Sequence, residues 1–149
     1  MRFLIQRVKR AQVTVKEKII GEIGKGFAVF IGVEGADTPE IADKMTKKLI
    51  GLRIFEDENG KTNLDLKTVG GALLIVSQFT LYADCRKGNR PSFINAGEPK
   101  MADALYRHIV DRCRQEIETV EEGIFGAEMK VELINDGPFT IWLDSDELF

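Results

Sequence analysis

The stretch Ser77-Gln78-Phe79-Thr80 places two hydroxyls and a carboxamide directly behind the apolar run "ALLIV". A strand whose end turns polar is where main-chain N–H groups leave the ladder and become free to hold an oxyanion. Ser77, Gln78 and Thr80 add polar groups there, and Phe79 adds an apolar wall. Ser and Thr at strand ends also cap turns, and that structural use stands beside the chemical one. A second stretch is "NDGPFT", residues 135–140. Gly137 removes a Cβ that would keep a ligand away, and Pro138 has no N–H with which to extend a ladder. A plain hairpin corner uses the same pair, so the dipeptide is either a turn or a tool.

His108 is the one histidine of the chain, so any Ser-His-Asp or Cys-His mechanism would have to use it. It falls one position before Ile109 on the apolar stripe of an expected helix, which reads as a flanking, partly exposed side chain. Cys113 lies on that stripe and reads as a small core hydrophobe. A zinc site needs more His and Cys at ligand spacing, so no metal is expected. Neither G-x-x-x-x-G-K-[ST] nor G-x-G-x-x-G occurs, and no cofactor is indicated. If the chain is an enzyme, its catalysis rests on backbone groups, hydroxyls or the substrate itself.

The elements that must position these stretches follow from periodicity. "FLIQRVKRAQVTV" alternates as a bent strand or two, with Leu4, Val13 and Val15 among the inward candidates. "EKIIGEIGKGFAVFIGV" reads as two strands joined around Gly24–Gly26. Thr38 as N-cap, Pro39 and Glu40 open a helix whose stripe is Ile41, Met45, Leu49 and Leu52. "RIFEDENGKTN" reads as a strand ending in a turn at Asn59-Gly60, and "GALLIVSQFTL" as a buried strand turning polar. "RKGNRPSFINAGEP" has the punctuation of a long loop. A second helix is expected from Pro99 to about Thr119, with Ala102, Leu105, Ile109, Cys113 and Ile117 inward. "EMKVELIND" and "FTIWLDS" read as two strands about the Gly137-Pro138 corner. The expected fold is α/β, a layered arrangement of mostly antiparallel sheets covered by two main helices.

The 149 residues are expected to form one domain, 1–149, with 44% hydrophobic and 30% charged residues, a soluble-globular balance. The longest apolar runs are too short to span a bilayer, and "MRFLIQRVKR" lacks the apolar core of a signal peptide, so a cytoplasmic protein without a membrane partner is expected. Cys85 and Cys113 have no C-x-x-C spacing, which fits a reducing compartment. The net charge of -3 hides an asymmetry: residues 1–97 carry 16 basic and 11 acidic side chains, residues 98–149 carry 5 and 13. The first two-thirds can offer phosphates a basic surface, or simply be solvated.

Taken together, "SQFTLYAD", "RKGNRPSF" and "NDGPFT", in this order and spacing, resemble the D-aminoacyl-tRNA deacylases. "RFLIQRVKRAQVTV", "VGG" and "GIFGAEM" are also similar to that family, and the resemblance covers essentially the whole chain. It implies hydrolysis of the ester joining a D-amino acid to tRNA. It implies that Gly137 and Pro138 are a Gly-cis-Pro chirality filter braced by Arg7, with Thr140 at the end of the same substrate-binding motif. It implies that Ser77, Gln78, Phe79 and Thr80 line the catalytic pocket, and that the dipeptide of one subunit of a homodimer reaches the pocket of the other. For the tRNA end the expected contacts are Arg86, Lys87 and Arg90.

An acceptor-only face of neighbouring carbonyls suits an α-ammonium group, a charge-assisted contact worth about 1.5–3 kcal/mol. At 1.4 kcal/mol per decade that gives about ten- to a hundred-fold discrimination, so a steric collision with L side chains must add to it. Glycine has nothing to collide, and glycyl-tRNA is expected to be cleaved too. The resemblance further suggests that the ribose 2′-hydroxyl assists the attack. Two alternatives are a non-catalytic tRNA- or RNA-binding dimer and an esterase using Thr80 or Cys85 as nucleophile.

Overall fold

In the computed structural model, which describes residues 1–149, the first alternating stretch is one long strand, β1 (Arg2–Val15). Its inward residues differ from the expectation. Phe3 and Ile5 are fully buried whereas Leu4 is only half-buried; Val13 is buried and Val15 is half-buried. The reason is that β1 has two covered faces. Phe3 and Ile5 pack towards the helices, while Val8, Ala11 and Val13 belong to a smaller apolar cluster on the other side. Irregularities in register between Gln6 and Arg10 shift the alternation from one set to the other.

β2 (Lys18–Ile23) and β3 (Gly26–Gly32) follow as expected around Gly24–Gly26. Both pair antiparallel with β1. The helix α1 (Pro39–Ile50) begins where the Thr38 hydroxyl accepts the Ile41 N–H at 3.3 Å. A small hairpin, β4 (Phe55–Glu56) and β5 (Thr62–Leu64), turns at Gly60, whose φ is +72°. β6 (Ala72–Ser77) then runs parallel to β3.

The second helix, α2 (Pro99–Arg114), stops about five residues short of the expected end. Thr119 is already committed to the sheet, its carbonyl accepting the Leu73 N–H at 3.0 Å, so the chain must leave the helix to enter β7 (Val120–Glu122). Ile117 remains buried beyond the helix. β7 lies parallel to β6. The sheet order is β2-β1-β3-β6-β7, with the last strand, β8 (Lys130–Asp144), along the other edge of β1. A single turn, α3 (Ser145–Leu148), ends the chain. The fold is therefore mixed α/β and mostly antiparallel, with α1 and α2 burying their stripes against Phe3, Ile5, Phe27, Val29 and Ile75.

Residues 130–144 are not two strands turning at a Gly-Pro corner. Both halves pair antiparallel with the same strand, β1, so the chain does not reverse. Between the pairs Gln6–Thr140 and Val8–Asn135, residues 136–139 face Arg7 alone. "DGPF" is a bulge thrown out of a continuing strand, and its Gly137–Pro138 bond is cis. Because the strand resumes on its original course, what the sequence offers as a turn is a projection from a sheet edge.

Candidate active site

β6 ends at Ser77, and the backbone then winds into a 3-10 turn over Phe79–Tyr82. The Gln78 N–H still reaches the Ile31 carbonyl at 2.7 Å, which fastens the start of the turn to β3. The first N–H groups of such a turn have no acceptor within it. No side chain caps it either. The N–H groups of Phe79 and Thr80 therefore stand at the point where the sequence expected free donors. The Gln78 carboxamide donates instead to the Thr80 hydroxyl.

Ser77, Gln78 and Phe79 line a cavity of about 660 Å³ whose walls also include Phe93, Phe125 and Met129. That is ample for a nucleoside ester. Phe93 comes from the long loop and meets the half-exposed Phe79 edge-on at 5.1 Å between ring centres. Tyr106, also in the wall, anchors α2 by donating its hydroxyl to the Ile75 carbonyl at 2.8 Å. Thr80 does not line this cavity. Tyr106 has the spacing of an apolar helix face, which carries no signal separating cavity wall from core. Phe125 and Met129 lie in the loop "GIFGAEM" between β7 and β8, a stretch whose sequence resembles the family without indicating a place in the site.

The Gly137–Pro138 bulge is held from its inner side. Arg7 is only 6% exposed. Its Nε donates to the Asp136 carbonyl at 3.1 Å, Nη2 to the Gly137 carbonyl at 3.3 Å and Nη1 to the Ile54 carbonyl at 2.6 Å. The Asp136 carboxylate balances its charge at 3.3 Å, and the Phe139 ring lies 4.4 Å from the guanidinium carbon. Across the neck, the Asn135 carboxamide donates to the carbonyls of Arg7 and Phe139, both at 3.1 Å. These bonds replace the ladder that the bulge interrupts, and the planar guanidinium fork fixes its shape. Gly137 and Pro138 themselves are exposed, as is Thr140, whose hydroxyl accepts from Gln6 at 3.1 Å.

Within one chain the two motifs do not meet. Ser77 pairs with Ile31, three strand steps from β8, and Arg7 sits four residues lower along the sheet. At about 4.8 Å per step and about 3.3 Å per residue, the separation is on the order of 20 Å. Neither Gly137 nor Pro138 lines the cavity of its own chain.

Of the three expected tRNA contacts, Arg86 is tied to Asp84, with its Nε 2.9 Å and its Nη2 2.6 Å from the carboxylate, and this holds the Asp84 pKa down at about 2. Lys87 and Arg90 are exposed at the tip of a loop pinched by the Asp84–Ser92 bridge. His108 is partly exposed, 2.8 Å from Asp43 between α1 and α2, and is not among the residues that line the cavity. Cys113 is fully buried, and burial pushes its thiol up to about 12. No three His, Cys, Asp or Glu side chains gather as an ion cage, and no helix is long and apolar enough to cross a membrane.

Comparison with known proteins gives this geometry a family. A family model described as D-Tyr-tRNA(Tyr) deacylase matches residues 4–144. The D-aminoacyl-tRNA deacylase of Clostridium novyi is 54% identical over 149 residues, the whole of both chains. That of Thermotoga petrophila is 52% identical over the same full span. Among solved structures, one titled c-Myc DNA Unwinding Element Binding Protein superposes with a TM-score of 0.91 at 39% identity, covering 97% of this chain and 98% of the other. A probable eukaryotic D-amino acid tRNA deacylase shares the fold, with a TM-score of 0.84 at 18% identity over 95% and 97% of the two chains. With a family model spanning nearly all of its length and full-length relatives at half identity, the chain belongs to the D-aminoacyl-tRNA deacylase family of enzymes.

Proposed function

We infer that this chain hydrolyses the ester between a D-amino acid and the terminal ribose of tRNA, cleaves glycyl-tRNA as well, and spares L-aminoacyl-tRNA. The observation that carries the reading is the Gly137–Pro138 bulge, braced behind by Arg7 and Asn135, bare in front, and remote from its own cavity. A rigid projection with no use inside its own chain suits insertion into the cavity of a second copy. In such a homodimer the dipeptide faces the Ser77–Thr80 stretch of the partner, and the site lies at the subunit interface. The Gly137 carbonyl spends one lone pair on Arg7 and keeps the other for the substrate ammonium.

In the reaction, water adds to the ester carbonyl carbon, the bond to the ribose oxygen breaks, and that oxygen leaves with a proton. The main-chain N–H groups of Phe79 and Thr80 hold the developing oxyanion, an interaction whose loss typically costs about 10²–10³ in rate. The neighbouring ribose 2′-hydroxyl assists the attack. A Thr80 nucleophile is disfavoured because its hydroxyl is engaged by Gln78 and the only histidine lies elsewhere.

Side-by-side deacylation of D-tyrosyl-, glycyl- and L-tyrosyl-tRNA tests the reading: the first two turn over and the third does not. A glycyl ester as inert as the L ester removes the steric filter, and three inert esters remove the activity. A tRNA ending in 2′-deoxyadenosine should not turn over, whereas Thr80→Ala should. The name of the structure at 39% identity favours a second reading, a nucleic-acid-binding module. Binding of tRNA without turnover of any ester would select it.

A further inference from the structure

The 3-10 turn that presents the Phe79 and Thr80 N–H groups is four residues long and uncapped, and such a turn has little stability of its own. Its front end is fastened by Gln78 to Ile31. Its back end is fastened by two groups. Tyr82 is buried, and its hydroxyl donates to the Glu34 carboxylate at 3.1 Å. Arg2, from the opening of β1, donates its Nη1 to the Leu81 carbonyl at 3.0 Å and its Nε to the Asp144 carboxylate at 2.8 Å. The guanidinium carbon lies 4.3 Å from the Tyr82 ring centre and 5.5 Å from that of Trp142. Gly32 lets this happen: a Cβ there would come 3.0 Å from the Leu81 Cβ and 3.2 Å from the Gln78 carbonyl.

We propose that Arg2 is a positioning residue for the ester hydrolysis, a clamp that sets the 3-10 turn against β8 through Leu81, Tyr82, Trp142 and Asp144. The inference rests on the reading that the Phe79 and Thr80 N–H groups serve the reacting carbonyl. Asp144, at the end of β8, fixes the plane of the guanidinium, and the rigid fork then fixes where the Leu81 carbonyl sits. A cation at the carbonyl end of a helical turn is also the favourable sign for its dipole. The strand holding one end of the clamp is the strand that carries Gly137 and Pro138, so Arg2 ties the oxyanion donors and the projecting dipeptide to one frame. Displacement of such donors by about 1 Å costs up to about 10²-fold in rate.

The test uses Arg2→Gln and Arg2→Lys in the full chain with D-tyrosyl-tRNA. Arg2→Gln is expected to lower kcat about tenfold or more with KM within about twofold, while the thermal midpoint moves by only a few degrees. Arg2→Lys keeps the charge but lacks the fork that serves Leu81 and Asp144 together, and should fall between Arg2→Gln and the parent. Trp142 is the only tryptophan, so its emission reports the clamp directly and should change in Arg2→Gln. Parental kcat in both variants overturns the proposal, as does a loss of kcat that merely tracks a loss of folded protein. Should Arg2→Gln fail to fold, Arg2→Lys decides alone by the same split. Turnover by the unaltered protein tests the underlying activity separately, so the two failures are distinguishable.

Discussion

Replacing Gly137 by alanine separates what the fold needs from what the substrate needs. A Cβ built at Gly137 meets no atom of its own chain within 4 Å, and the backbone there is outside the left-handed region. Nothing in the chain itself therefore demands glycine. At a compatible position Gly→Ala reduces the freedom of the unfolded chain and stabilises by about 0.4–1 kcal/mol. For a protein of this size, at about 2–4 °C per kcal/mol, the melting midpoint should rise by about 1–4 °C. Activity should move the other way. The added methyl stands on the face proposed to meet the substrate ammonium inside a partner cavity, where a misplacement of about 1 Å costs up to about 10²-fold. The assay pairs thermal unfolding with D-tyrosyl-tRNA deacylation on one preparation. Turnover near the parental level, with stability unchanged or raised, would refute the chirality filter at this dipeptide. A fall of several degrees in the midpoint, at protein concentrations where the chain is monomeric, would refute the account of a Gly137 that is open and unstrained within its own chain.

Gly26→Ala is the matching control, since a Cβ there would fall 1.9 Å from the Ala72 carbonyl where β3 and β6 pair; denaturant unfolding should show a loss of about 1–3 kcal/mol or more. Removing the exposed charges in Lys87→Ala/Arg90→Ala should flatten the salt dependence of tRNA affinity by about 0.7 in log-log slope for each phosphate that is no longer neutralised, and an unchanged slope would dismiss that loop as the tRNA-binding element. Iodoacetamide should label exposed Cys85, leave buried Cys113 untouched in the folded protein and leave turnover intact; inactivation would revive a thiol mechanism. Burial raises the Cys113 pKa in the folded state to about 12, from 9.0 when free, so the folded chain keeps a proton that the unfolded chain loses. The stability that burial confers on the neutral thiol is whole below about pH 9 and is lost as pH rises towards 12. Unfolding midpoints should therefore fall over that interval, and less steeply in Cys113→Ala.

Local chemistry was legible wherever the cause is local. The Thr38-Pro39 helix start, the stripe of α2, the Gly24–Gly26 connection and the polar end of β6 each depend on a few adjacent residues, and the structure places them where the sequence did. Of the stripe expected for α1, by contrast, only Met45 and Leu49 are fully buried; Ile41 is half-buried and Leu52 falls beyond the helix end. The chain order and spacing of the two motifs also carried the family. What the sequence alone could not decide depends on which strand each segment pairs with. Residues 130–144 have the same local pattern whether they fold back on themselves or continue along β1; only the shared partner β1 turns the Gly-Pro corner into an outward bulge. Leu4 and Phe3 are equally apolar, and only the packing of the helices over the Phe3 side of β1 selects between them. Arg2 and Asp144 lie at opposite ends of the chain, so their clamp on Leu81 is visible only in three dimensions. Hydrogen bonding within a turn is written in neighbouring residues; pairing between strands and the bracing of a projecting loop are settled by burial and complementarity across the whole sheet.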